Sequence, residues 1–267
     1  MPRSDSAPPA VVLSEPAPQV RLLTLNRPAL RNAMTEEMTS VWSAAMDEMA
    51  SDPDVRVLVI TGAGTSFCSG ADLSWLDLAP QGERTPDQLR GKMAPFYRAW
   101  LAPCDLPFPV IAAINGPAVG AGVCLALACD LRYASPDAMF KTPFNYLGTH
   151  GGMGITALLP QAVGDTRARE MLYTGRDVDA EEARSWGLVT HIDDDVVHYA
   201  LGVAETIASA APIPTRLTKV GLEQARSGLT AALQWEGLAQ PVTMATSDLH
   251  EGIAARRAHR AALFSGH

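Results

Sequence analysis

The stretch Val110-Ile111-Ala112-Ala113-Ile114-Asn115-Gly116-Pro117-Ala118-Val119-Gly120-Ala121-Gly122-Val123-Cys124-Leu125-Ala126-Leu127-Ala128-Cys129-Asp130 constrains the fold of this chain more than any other. It begins as an uninterrupted apolar run, the pattern of a strand buried on both faces. It turns at Asn115-Gly116-Pro117 and passes a Gly-Ala-Gly step. The residues beyond are too small and apolar to face water and read as a buried helix of about two turns. A helix N-terminus is thereby held in the protein interior. Its first N–H groups lack intrahelical partners and carry about half a positive charge. Glycine and alanine there let a ligand come close to the backbone. Such a place suits an oxygen that gains negative charge during a reaction.

A chain of 267 residues fits one domain, or one with a small appendage, and can bury a sizeable core. Its net charge is −8 and it has no run of Lys or Arg, which argues against nucleic acid and anionic membrane as partners. The four cysteines, Cys68, Cys104, Cys124 and Cys129, have no CxxC spacing. Three sit among apolar or small residues, so they read as reduced, buried thiols of a cytoplasmic protein. Met1 to Pro9 is polar and Pro-rich without a hydrophobic signal core. No apolar run approaches the ~20 residues of a membrane span.

Along the chain, residues 1–10 read as a frayed tail. A strand is expected over Val20–Asn26. Thr35 caps a helix that runs to about Ser51, with Met38, Trp42, Ala45, Met46 and Met49 at helical spacing. Val55–Thr61 is a short apolar strand. Residues 79–86 read as a mobile surface loop, followed by a helix from Asp87 to Leu101. Asp130–Ala134 returns as a strand. Helices are expected at 154–163, 166–174, 180–186, 196–210, 214–227 and 229–244, and a last one with Asp248 as cap and Glu251 completing a capping box. Strands alternate with helices up to about residue 135, and helices dominate the rest. The fold class is therefore α/β with a helical C-terminal region: tail 1–10, core 11–195, helical region 196–267.

The Gly-rich turn is neither a P-loop, since no Gly-Lys-Ser/Thr follows, nor GxGxxG, since Leu125 stands at the third glycine. A nicotinamide reductase is thus a remote reading. There is no GxSxG elbow, and six histidines without HxxxH spacing speak against a metal site. A second loop, Phe67-Cys68-Ser69-Gly70-Ala71-Asp72-Leu73, has a similar strand-loop-helix setting. It offers a second N–H near Ala71. Two converging donors make an oxyanion hole, whereas one binds loosely. The alternative is two ordinary strand-to-helix turns.

These two loops together resemble the enoyl-CoA hydratase/isomerase (crotonase) superfamily. Leu25-Asn26-Arg27-Pro28 with Asn32-Ala33, Cys129-Asp130-Leu131-Arg132, Leu172-Tyr173-Thr174-Gly175-Arg176 and Trp186-Gly187-Leu188-Val189 carry the same resemblance, which spans about residues 12–264. It implies repeated ββα units and a C-terminal region that mediates trimerisation, often as a dimer of trimers. It implies an acyl-CoA thioester as ligand, with coenzyme A entering as part of the substrate and no other cofactor. The thioester oxygen would sit between the N–H groups of Ala71 and Ala121. Leu30, Arg31, Ser69, Ala71 and Leu73 would line the adenine pocket, and Arg31 would contact phosphate or else be a solvated surface arginine.

The chain departs from the family where hydratases carry two glutamates. The resemblance puts Cys124 and Phe144 at those positions, and neither is a carboxylate. Burial should leave the Cys124 thiol inert. Losing one general acid–base group costs about 10²–10⁴ in rate, so efficient hydration of a 2-enoyl-CoA is not expected. No carboxylate lies between Pro143 and Gly154. A histidine side chain can act as acid or base near neutral pH, so His150 is the substitute, or else a loop histidine bonded to a carbonyl. Tyr146 and Asn145 are candidate hydrogen-bond donors. Asp72, Met153, Trp75 and Trp42 read as structural or wall residues, and Glu236 as one half of a helix-packing salt bridge. The expected activity is hydratase/isomerase-like, through a thioester oxyanion. The alternative is a carrier or sensor of fatty acyl-CoA with the same fold.

Overall fold

The computed structural model describes residues 8–72 and 85–267. Its main sheet has six strands: β1 (Val11–Ala17), β2 (Val20–Leu25), β3 (Val57–Gly62), β4 (Val110–Ile114), β6 (Leu131–Ala134) and β9 (His191–Ile192), in the order β1-β2-β3-β4-β6-β9. Only β1 runs antiparallel to its neighbour. A second sheet of three short strands, β5 (Ala118–Val119), β7 (Met139–Lys141) and β8 (Val178–Asp179), stands beside it.

The period of two along β3 and β4 divides the interior. Leu58 and Ile60, with Val110, Ala112 and Ile114, join the larger core, together with α1 (Glu36–Ser51) and α4 (Ala121–Ala128). Val57 and Val59, with Ile111 and Ala113, face the other way and meet α8 (Val196–Ala208). Both strands are buried throughout, as an uninterrupted apolar run requires. Helix α8 covers the second sheet face through Val196, Ala200, Ala204 and Ala208.

Helix α1 is capped by Thr35, whose hydroxyl accepts from the Met38 N–H. It presents Met38, Trp42, Met46 and Met49 to the core, where Trp42 stacks on Trp100 of α2 (Pro86–Trp100) at 4.6 Å. After the short α3 (Ala102–Asp105) and the central strand and helix come α5 (Ile155–Val163), α6 (Asp165–Thr174), α7 (Ala180–Trp186), α8, α9 (Pro212–Ala225), α10 (Leu229–Met244) and α11 (Ser247–Arg257). Lys219 pins α9 to the core. Its ammonium meets the Asp130 carboxylate at 2.9 Å and the carbonyls of Pro103 and Phe108.

Two expectations need correction, and a third falls mostly on residues that are not described. Residues 8–10 are not frayed: Ala10 is buried, and the carbonyls of Pro8 and Pro9 accept from Arg27 and Asn26. The expected mobile loop at 79–86 lies outside the described residues, except that Thr85 caps α2 and Pro86 starts it. Asp248 is not a cap. Thr246 caps α11, while the Asp248 carboxylate accepts the N–H groups of Ser265 and Gly266 from the returning C-terminal segment. Glu251 completes no capping box; it accepts from Arg260 and from the Leu263 N–H.

That last arrangement has a pH consequence. Arg260, and then the Leu263 N–H, hold the Glu251 carboxyl at about 2, down from an ordinary 4.5. A depressed carboxylate pKa stabilises the folded form above 4.5, and the contribution is lost as pH falls toward 2. Protection of the Leu263 amide against hydrogen exchange, relative to its intrinsic rate, is expected to fall through that window. Glu251→Gln should remove the pH dependence.

Candidate functional site

Two loops leave the same end of the main sheet and are sewn together by backbone bonds. The Phe67 and Cys68 N–H groups both donate to the Pro117 carbonyl, and Val119 N–H donates to the Cys68 carbonyl at 2.9 Å. Contact is close enough to demand glycine. A Cβ on Gly122 would lie 2.2 Å from the Cys68 carbonyl oxygen. A Cβ on Gly70, whose φ is +90°, would lie 2.5 Å from the Val119 carbonyl oxygen and 3.1 Å from the Ala121 nitrogen.

The donors follow from this packing. Met34 N–H donates to the Gly70 carbonyl and Asp72 N–H to the Met34 carbonyl, which makes a parallel bridge across Ala71. In a parallel ladder the residue between those groups turns its own N–H to the opposite side. Ala121 is the first residue of α4, so its N–H has no intrahelical acceptor. Gly120 ahead of it is fixed by its own N–H, which donates to the Lys141 carbonyl at 2.8 Å. Among the described residues neither the Ala71 nor the Ala121 N–H donates to a protein acceptor. Both alanines line one cavity of about 490 Å³.

The cavity brings together most of the candidate residues. Leu30, Arg31, Ser69, Ala71, Ala121, Cys124, Phe144 and His150 all line it. Leu30 and Arg31 form an exposed turn with Arg31 at φ 50°. The turn is tied to the first loop by Ser69, whose N–H donates to the Arg31 carbonyl and whose hydroxyl donates to the Leu30 carbonyl. Leu73 and Trp75 lie outside the described residues.

Tyr146 is the exception. It is 74% exposed, lies outside the cavity wall, and packs its ring toward Gly175. The cause is the short 3-10 turn at Phe144–Leu147, which turns Phe144 inward and its next-but-one neighbour outward. Asn145 is also turned away, and its amide donates to the Leu172 carbonyl. Glu236 is exposed and forms no salt bridge among the described residues.

Chemistry at Cys124 and Phe144, the two positions expected from the resemblance to stand where hydratases carry glutamate, is limited. The Cys124 thiol is buried, and burial pushes it up to about 12, so it stays protonated at neutral pH. It hydrogen-bonds to the carbonyls of Gly120 and Gly152. The ring of Phe144 lies against Gly120, beside the start of α4. Asp72 is the only carboxylate among the described residues of the cavity wall. His150 is exposed and also lines a second, adjoining cavity of about 300 Å³ with Phe144, Thr156 and Leu172.

Sequence reasoning missed Met93, Phe96 and Tyr97, which line the cavity from α2. Their signal was present, since positions 93, 96, 97 and 100 share one helical face. Tyr97 is half-buried, and burial together with the neighbouring Cys124 thiol raises its pKa.

Parallel strands feeding two glycine-tight loops over one apolar cavity define an α/β protein of the crotonase fold. The family model for enoyl-CoA hydratase/isomerase matches residues 16–266, and the chain belongs to that family. It is 40% identical over 259 residues to a Mycobacterium leprae protein named probable enoyl-CoA hydratase echA12, covering 91% of this chain and 86% of that one. It is 36% identical over 254 residues to the 2,3-dehydroadipyl-CoA hydratase of Escherichia coli K12, covering 93% and 96%. The crystal structure of an enoyl-CoA hydratase from Bacillus anthracis superposes with a TM-score of 0.90 at 32% identity, covering 97% of this chain and all of that one.

Proposed function

We propose that this protein is an acyl-CoA enzyme that stabilises a thioester oxyanion between the N–H groups of Ala71 and Ala121, without the glutamate pair of the hydratases. The observation that carries this reading is the convergence of two unpaired backbone donors, from independent loops, on one apolar cavity. Such donors are worth about 3 kcal/mol each in a transition state, because they need no reorganisation when charge develops. Arg31 would meet phosphate at the exposed rim, and Leu30 and Ser69 would hold the adenine end. Coenzyme A then arrives with the substrate and no further cofactor is used. Isomerisation, decarboxylation or slow hydration all pass through the same enolate-like oxyanion.

Proton transfer falls to His150 or to water. Phe144 carries no proton and the Cys124 thiol is held neutral. His150→Ala is expected to lower turnover by about 10²–10⁴ if the imidazole is the acid or base. A panel of crotonyl-, 3-enoyl-, malonyl-type and long-chain acyl-CoAs, followed by mass spectrometry, supplies the reaction on which to measure it. A loss below about tenfold removes His150 from that role. A second reading, a fatty acyl-CoA carrier of the same fold, is favoured by the wall itself, in which Asp72 is the only carboxylate among the described residues. Tight binding of a panel member without conversion would support it.

A homotrimer, or a dimer of trimers, fits the C-terminal hairpin. Helices α9 and α10 bury no residue of their own within one chain, and they expose Leu222, Leu229, Leu233 and Leu238.

A further inference from the structure

Two arginines away from the cavity of Ala71 and Ala121 lack a counter-ion. Arg56 stands just before β3 and Arg216 in the second turn of α9, and both line one small enclosed cavity. Arg56 donates to the carbonyls of Ala208, Ala210 and Phe264. Arg216 donates through Nη2 to the carbonyls of Pro53 and Val55, at 3.5 and 3.3 Å, and its Nε is buried without a partner. Among the described residues neither guanidinium forms a salt bridge. The carboxylates of the adjoining segments are spent or turned away. Asp52 pairs with Arg21, Asp130 pairs with Lys219, and the exposed Asp54 pairs with neither arginine. The first turn of α9 holds no acidic residue, and Thr215 directs its hydroxyl to the Ala211 carbonyl.

Carbonyl dipoles solvate a guanidinium without neutralising it, and two like charges at one cavity repel. A bound anion offsets both costs, and a buried N–H without a partner gives it a charge-assisted hydrogen bond. The cavity measures about 10 Å³. That is the room of about one water-sized sphere. Carboxylate, phosphate and sulfate, with several heavy atoms each, are too large. A water molecule fits but brings no charge.

We propose that Arg56 and Arg216 form a binding site for a single halide ion, chloride in ordinary solution. The ion joins four segments that the two arginines already touch: the loop before β3, the end of α8, the start of α9 and the C-terminal segment at Phe264. Its role is to hold the helical C-terminal region on the sheet. The assignment is independent of the acyl-CoA reading.

The test is thermal melting of the full-length protein in sodium chloride, sodium bromide and sodium gluconate at equal ionic strength. Gluconate is too large for the cavity. Wild type should melt about 4 °C higher in about 0.2 M chloride or bromide than in gluconate, the shift given by a ligand at about ten times its Kd in a chain of this size. In Arg216→Met and in Arg56→Met the difference between salts should fall below about 1 °C, whatever the melting temperature of each variant in gluconate. Wild-type crystals grown with bromide in place of chloride should show an anomalous peak in this cavity, within hydrogen-bond reach of both guanidiniums. That map decides the matter if the variants do not fold. Equal melting in all three salts, a salt difference undiminished in both variants, or an ordered water in the cavity with no bromide peak overturns the assignment.

Discussion

Ala121→Pro is expected to lower turnover of an acyl-CoA thioester by about 10²–10³ while leaving the protein folded. The substitution takes away one hydrogen-bond donor with little else. Ala121 is the first residue of α4, the position at which proline is tolerated, because the N–H there makes no intrahelical bond and the ring presets a helical φ. Gly120 before it, at φ 56° and ψ −115°, is outside the α region that a following proline disfavours. The lost N–H belongs to one of the two groups proposed to hold the thioester oxygen, so the effect should fall on kcat. A rise in KM with kcat unchanged would mean that the amide serves only ground-state binding. A loss below about tenfold with an unchanged melting temperature would remove Ala121 N–H from the chemistry.

Asn32→Ala should produce the largest loss of stability per atom removed. Asn32 is fully buried at φ 55°, and its side chain spans three backbone groups. Its amide donates to the carbonyls of Ala63 and Ser66, and its oxygen accepts the Arg27 N–H. Alanine leaves all three without that partner and must hold a left-handed conformation that asparagine tolerates better. About 3 kcal/mol is expected, which in a domain of this size moves Tm by about 6–10 °C. Asn32→Asp should be no milder. It keeps the acceptor for Arg27 but turns a carboxylate oxygen toward two carbonyls, and a buried charge without a counter-ion is costlier than an unmet hydrogen bond. A Tm change under about 2 °C for Asn32→Ala would mean that water replaces the amide. The same network ties the Leu30–Arg31 turn to the loop that carries Ala71, so the ligand affinity of both variants should fall with stability.

Legibility in the sequence followed the length and regularity of each pattern. The central strand and helix were legible because an all-apolar run leaves few folding choices, and α4 is buried at every residue from Ala121 to Ala128. Helices α1, α5, α6, α7 and α10 were legible from spacing and caps. Strand β1 was not, since only Val11 is fully buried along it and Pro16 interrupts it. It exists because β2 offers an open edge, which no local pattern records. The second sheet escaped for a different reason: strands of two or three residues are shorter than the periodicity that would reveal them. Thr246 was overlooked as the cap of α11 because Asp248 and Glu251 have capping-box chemistry. Their partners in the fold, Ser265, Gly266, Arg260 and Leu263, lie further along the chain.

The same division holds at the site. Sequence by itself determined the two glycine-rich loops, the buried helix start that one of them feeds, and the absence of a carboxylate from residues 124 and 144, because these are matters of residue type and local backbone. Tertiary structure decided that the two loops abut, that Ala71 turns its N–H away from Met34, and that Tyr146 points outward while Tyr97 comes in. Each of those outcomes depends on atoms brought together from distant parts of the chain. Whether a donor is paired or free is decided by what packs against it, and the sequence of its own segment does not contain that information.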